Sequence, residues 1–261
     1  MELPIYWVDA FTERVFAGNP AAVVPLESWP GDPLLQRIAN ENGLSETAFF
    51  VRTGPARASL RWFTPAVEVD LCGHATLASA HVLFNELGQV EQPFTFDTRS
   101  GPLQVTTVGP MIELDFPSRP ALPAEAPEAL ARGLGQQPAE VRRSERMWLC
   151  VFATAGEVTA ISPDFSALGT LVPGRIIATA PGEDCDFVSR SFAPDAGVPE
   201  DPVTGSAHST LVPYWSARLG KNALHARQVS RRGGELWCEM RGDRVSIAGR
   251  GVAYLRGSIR V

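Results

Sequence analysis

Between positions 73 and 84 the chain carries no charged side chain other than the ionisable His74 and His81. Its apolar residues there (Ala75, Leu77, Ala78, Ala80, Val82, Leu83, Phe84) leave no continuous polar face. A surface helix shows one apolar stripe and one polar side. This pattern therefore predicts a helix over residues 73–87 that protein surrounds on all sides. The first N–H groups of such a helix have no intrahelical partner, and Gly73 lets a ligand come close to the backbone. A helix start of this kind suits a carboxylate or a phosphate.

The same pattern occurs twice. Glu68 precedes Gly73 by five positions and Leu87-Gly88 follows; Glu200 precedes Gly205 by five and Leu219-Gly220 follows in the same register. Ala75 matches Ala207, and Arg61-Trp62-Phe63-Thr64-Pro65 is echoed by Arg190-Ser191-Phe192-Ala193-Pro194. Two long repeats indicate a duplicated unit rather than a solenoid, whose periods are much shorter. Each half should feed a strand into a buried helix.

Around these two segments, β-branched and aromatic runs predict strands over 5–11, 21–24, 44–51, 59–63, 94–98, 103–108 and 111–116. Asp32 as N-cap and Pro33 at the first helical position predict a helix that stops near Asn42-Gly43. The proline-rich stretch 117–127 reads as a linker. In the second half we expect short helices near 128–132 and 163–168. Strands are expected over 148–153 and 175–179, an alternating strand over 186–192, and a hairpin around Arg231-Arg232-Gly233-Gly234. Strands at 244–248 and 252–261 close the chain. Pro213 should kink or break the second central helix, because it lacks an N–H and crowds the preceding turn. The mixture is α+β.

Composition narrows the function. At 261 residues the chain suits two domains, and 44% hydrophobic with 20% charged residues is ordinary for a soluble globular protein. No apolar run is long enough for a membrane span, and the first residues lack a basic leader. A net charge of −6 argues against nucleic acid as the main partner. The four cysteines (Cys72, Cys150, Cys185, Cys238) form no C-x-x-C pair and read as reduced cytoplasmic thiols, with no zinc site and no disulfide framework. Lys221 is the one lysine and lies just past a helix end, a poor place for a Schiff base. Dinucleotide, P-loop, zincin and nucleophile-elbow motifs are absent. We expect chemistry done by side chains, with no cofactor and no metal.

Four residues carry the candidate chemistry. Glu46 stands where a loop enters the apolar run with Phe49 and Phe50, and burial there would raise its pKa into the range useful for proton transfer. His74, at a helix N-terminus that disfavours imidazolium, reads as a neutral donor or relay. Asp201, before Pro202, is either a turn former or the group that orients His74 or a substrate amine. Cys72 is either a thiol acidified by the helix end or a small buried filler.

The motifs Ala17-Gly18-Asn19-Pro20-Ala21-Ala22-Val23, Asn42-Gly43-Leu44-Ser45-Glu46-Thr47-Ala48-Phe49, Cys72-Gly73-His74-Ala75-Thr76 and Glu200-Asp201-Pro202-Val203-Thr204-Gly205-Ser206-Ala207-His208 resemble signatures of the PhzF-type phenazine-biosynthesis isomerase family, in order along the whole chain. The resemblance implies a diaminopimelate epimerase-like fold. That fold has two pseudo-symmetric domains, each a curved, mostly antiparallel sheet wrapped around a central helix, with the active site in the cleft between them. The boundaries would be 1–117, with 252–261 able to return to it, and 118–251. The best-understood members isomerise trans-2,3-dihydro-3-hydroxyanthranilate without a cofactor and are homodimers. By resemblance, Glu46 moves the proton, while His74 and Asp201 hold substrate and relay protons. Gly73, Gly205 and Ser206 bind the substrate carboxylate, with Ser45 and Asn19 as further substrate contacts. Related epimerases use two thiols; here Thr204 stands at the second position, which leaves a one-thiol epimerase using Cys72 as an alternative. A third possibility is a non-catalytic protein that binds small carboxylates.

Overall fold

The computed structural model describes residues 1–145, 147–171 and 174–261. It divides into two units, Met1–Asp115 with Ala248–Val261, and Phe116–Ile247.

In the first unit, strand Glu2–Ala10 pairs antiparallel with Asn19–Leu26 on one side and with Gly251–Arg260 on the other. Asn19–Leu26 runs parallel to Glu46–Gly54, which is antiparallel to Arg57–Phe63. Arg57–Phe63 runs parallel to Phe94–Thr98, and the meander through Gly101–Val108 and Met111–Pro117 follows. In the second unit, Glu140–Arg143, Met147–Val151, Arg175–Pro181, Phe187–Ala193, Ala223–Gln228 and Gly234–Arg241 pair in that order. The senses alternate as antiparallel, parallel, antiparallel, parallel, antiparallel, as they do from Glu2–Ala10 to Gly101–Val108. The duplication legible in the sequence is thus a duplicated ladder.

Each unit also repeats one side-chain arrangement. Arg61 holds Glu68 through two hydrogen bonds of 2.7 Å, and its guanidinium lies 5.1 Å from the Phe63 ring. Arg190 holds Glu200 at 2.7 and 2.9 Å and lies 5.1 Å from the Phe192 ring. In both, the acid stands on a short strand (Glu68–Val69 or Val198–Asp201) paired back onto the strand that carries the arginine. The fork geometry of guanidinium and carboxylate fixes direction as well as distance. It sets the path of the chain into the helix that follows.

Helix Gly73–His81 is buried at every residue and packs against the strands Glu2–Ala10, Asn19–Leu26 and Glu46–Gly54. It widens to π spacing over Val82–Glu86, where the Leu87 N–H reaches the Val82 carbonyl. On the other side of the sheet, helix Asp32–Asn42 covers a core with Leu35, Ile38, Val24, Phe49 and Phe63. In the second unit, helices Glu128–Leu134, Ala155–Ala160 and Phe165–Leu168 contribute to the core with Leu130, Phe152, Ile176 and Phe192.

Four local expectations need correction. The N-cap of Asp32–Asn42 is Gly31, and Asp32 instead accepts from Arg61 at 2.8 Å. Strand Phe187–Ala193 is buried on both faces rather than alternating. Thr154 and Glu157 form a capping box that starts a helix the hydrophobic pattern did not indicate. Helix His208–Leu219 runs on through Pro213. The carbonyl that Pro213 leaves unused one turn back, at Ser209, accepts the Arg119 N–H at 2.8 Å, so an outside donor replaces the lost hydrogen bond.

Replacing Glu200 by Ala leaves the largely buried Arg190 guanidinium without its carboxylate and should cost about 3 kcal/mol. Asp97→Asn, at the exposed pair with Arg57, should cost far less. Urea unfolding midpoints check the order; equal shifts would show that the Arg–Glu fork does not set the path.

Candidate active site

Strand pairing gathers the candidates of the first unit. The parallel register sets Glu46, the first residue of its strand, opposite Ala21, two residues beyond Asn19. Gly18, just before, has φ +64°, and a Cβ there would strike the Ala10 carbonyl oxygen, so only glycine allows this entry into the strand. Asn19 is fully buried, with its Nδ2 3.1 Å from His74 Nδ1. The other ring nitrogen, Nε2, lies 3.1 Å from Glu46 Oε2. Cys72, the N-cap of the central helix, places Sγ 3.5 Å from His74 Nδ1. The imidazole therefore has an amide and a sulfur on one side and a carboxylate on the other. Ser45 precedes Glu46, half-buried.

Glu46 has a polar neighbour that the expectation drawn from Phe49 and Phe50 did not include. Phe49 belongs to the core under helix Asp32–Asn42, and the neighbour of the carboxylate is an imidazole. His74 departs from expectation as well. Burial pushes its pKa down, but the Cys72 sulfur and the Glu46 carboxylate push it up, and the net direction is well above the ordinary value. Burial and the Glu46 charge hold the Cys72 thiol above its usual range. Cys72 and Glu46 together favour the proton on His74 and outweigh both its burial and the helix-start effect.

The remaining candidates lie in the second unit. Asp201 is buried and accepts from Thr204 Oγ1 at 2.7 Å and from Arg175 at 3.2 Å. Gln228 donates to the Asp201 carbonyl at 2.6 Å and accepts the Thr204 N–H at 2.8 Å. Gly205 and Ser206 open a short 3-10 turn, Gly205–Ala207, from which the helix continues. Thr204 is thus a hydrogen-bonding hub rather than merely a replaced thiol. Arg175 and Gln228 escaped the sequence reading, since a basic residue opening a strand and a polar one closing a strand look unremarkable. Behind them, the fully buried His208 donates Nδ1–H to the Thr204 carbonyl at 2.9 Å, and burial lowers its pKa to about 4.

The family model described as PhzC-PhzF, phenazine biosynthesis-like protein, matches residues 8–257. The chain belongs to the PhzC-PhzF family. An uncharacterized isomerase of Pseudomonas aeruginosa is 49% identical over the full length of both chains. A human phenazine biosynthesis-like domain-containing protein is 42% identical, with 99% of each chain covered. The crystal structure of a PhzF-family protein from Enterococcus faecalis superposes with a TM-score of 0.96 at 46% identity, covering both chains completely. This PhzC-PhzF protein therefore has the fold of that family, and among its relatives are named isomerases. Among the described residues, no helix is long and apolar enough to cross a membrane.

The two histidines predict opposite pH behaviour. His74, raised, contributes stability that is full below about pH 6.5 and fades as pH rises through its elevated value. His208, lowered, contributes stability that is present above about pH 6.5 and is lost as pH falls towards about 4. Imidazole nitrogen shifts followed against pH should show His74 keeping its second proton to higher pH than His208. Loss of the second proton from His74 before His208 would overturn the assignment.

Proposed function

We propose that the protein is a cofactor-independent isomerase of small carboxylates in which Glu46 carries a proton from one carbon to another. Paired with a protonated His74, Glu46 is held as a carboxylate, ready to act as a base. It takes a proton from a carbon next to an unsaturated system, and the electron pair of that C–H bond moves into the π system. The resulting carboxylic acid returns the same proton to a second carbon. One C–H bond breaks and one forms, so no oxidant or reductant is required. His74 stabilises the carboxylate in the resting state and its own charge offsets that of a bound anion. Gly73, Ser45 and Asn19 take part in holding substrate in this reading. Asp201, Gly205 and Ser206 are assigned the same task in the second unit, where Arg175 and Thr204 hold the Asp201 carboxylate in one orientation.

The observation that carries the reading is the 3.1 Å pair of Glu46 and His74 at the first turn of a wholly buried helix. The Glu46 side chain keeps 14% of its surface, so a ligand can reach it. Family membership and relatives named as isomerases support the reaction class. A Cys72 thiolate as the base is disfavoured, because its surroundings raise the thiol pKa where a thiolate mechanism needs it lowered.

Glu46→Gln keeps the shape of the side chain and removes the base. With trans-2,3-dihydro-3-hydroxyanthranilate and a panel of unsaturated cyclic carboxylates in deuterated water, the natural protein should exchange substrate carbon-bound hydrogen with solvent or isomerise it. Glu46→Gln should lower turnover by about 10²–10⁴-fold with little change in ligand affinity. Undiminished turnover in that variant would remove Glu46 from its role.

A further inference from the structure

His208 has no task in the proton transfer proposed above, yet it is fully buried at the start of helix His208–Leu219. Matching Gly205 with Gly73 pairs His208 with Thr76 in the repeat. Both side chains reach the carbonyl four residues back. The Thr76 hydroxyl donates to Cys72 at 2.5 Å, and the His208 imidazole donates to Thr204 at 2.9 Å. We propose that His208 is a positioning residue for substrate binding, its Nδ1–H holding the Thr204 carbonyl and with it the segment that carries Asp201, Gly205 and Ser206. This rests on the assignment of those three residues to substrate.

The backbone explains why the second unit needs an imidazole here. In the first unit the Cys72 carbonyl also receives the Thr76 N–H at 3.2 Å, the regular helical bond. In the second the chain turns more tightly. The Ala207 N–H reaches the Thr204 carbonyl at 3.2 Å, and the His208 N–H is directed to the Gly205 carbonyl. Hydrogen bonds of a 3-10 turn have poorer geometry than those of an α-helix. The imidazole supplies the donor that an α-helical N–H would have supplied, so the chain can stay tightly wound at Gly205 and Ser206. Thr204 is then held at all three of its polar groups: the N–H by Gln228 at 2.8 Å, the hydroxyl by Asp201 at 2.7 Å and the carbonyl by His208.

The ring can do this in one tautomer. Its Nε2 has no hydrogen-bond partner among the described residues. A proton there would be buried unpaired, while Nδ1 faced the carbonyl oxygen lone pair to lone pair. The Nδ1–H tautomer avoids both costs, and burial keeps the ring neutral. Its plane is held as well. Phe187 lies 5.9 Å from the imidazole and stacks at 5.6 Å on Trp215, whose Nε1–H donates to Thr179 at 3.0 Å.

The test compares His208→Asn, His208→Gln and His208→Leu in the full chain. Asparagine can place an amide N–H near that of Nδ1, whereas glutamine reaches towards the position of Nε2, so the pair separates a hydrogen bond from the filling of space. Amide hydrogen exchange at Thr204 and Ala207 should quicken at least about tenfold in His208→Leu and His208→Gln, relative to Ile177 and Ala178, and stay near the natural rate in His208→Asn. Anthranilate, a cyclic carboxylate of the substrate's size that cannot isomerise, should bind His208→Leu and His208→Gln about tenfold more weakly than it binds the natural protein and His208→Asn. Unchanged exchange and affinity in His208→Leu would overturn the role. Rescue by glutamine as complete as by asparagine would do the same, since it marks a residue that only fills space. An unprotonated Nδ1 in the imidazole nitrogen spectrum at pH 7 would also overturn it. Glu46→Gln is expected to lose turnover and keep affinity, and His208→Leu to lose affinity, so the proton-transfer reading and this one fail separately.

Discussion

The forked pair of arginine and glutamate, made once in each unit, is the constraint from which the rest follows. A helix enclosed by protein cannot choose its own direction from solvent, and its amphipathicity is too weak to orient it. Something must fix where the chain enters. Arg61 with Glu68 and Arg190 with Glu200 do this, each guanidinium pinned between a carboxylate and a phenyl face. Within six residues downstream of each acid come the positions that matter most. In the first unit they are Cys72, Gly73 and His74; in the second, Asp201 adjoins the acid itself, and Thr204 and Gly205 follow. A displacement of the fork would be passed directly to these groups, since little flexible chain separates them.

Against that background, the electrostatics of the first unit becomes intelligible. His74 sits at the positive end of a helix dipole, a location that by itself favours the neutral ring. A partial charge spread over several amides competes there with the Cys72 sulfur and the Glu46 carboxylate, and the two neighbours prevail. The same carboxylate raises the neighbouring thiol. Each of the three side chains thus bears on the protonation of the others, which makes the group suited to proton movement.

The sequence revealed the large-scale plan because the plan depends on repeated spacing. Arg-x-Phe-x-Pro, the glutamate and Leu-Gly recur at matched positions, and the paired strands recur with them. Motif resemblance singled out Glu46, His74 and Asp201. It did not reveal how they are held, because Asn19, Arg175 and Gln228 make their contacts through strand register, and register is invisible in one chain. Pro213 shows the same limit from the other direction. Its local effect was foreseeable, but the compensating Arg119 N–H comes from about ninety residues away in sequence, beyond what local pattern can carry. The capping box at Thr154, by contrast, was legible and lay in plain view: Thr-Ala-Gly-Glu is its signature.

The strand Gly251–Arg260 completes the first unit, yet it is synthesised after all of residues 116–247. Strand Glu2–Ala10 must therefore leave the ribosome with one hydrogen-bonding edge unoccupied and wait while the second unit emerges. Ordinarily the amino-terminal part of a chain folds first during translation; here the order of completion is inverted, and the exposed edge in the interim is the natural place for a chaperone or for aggregation to intervene.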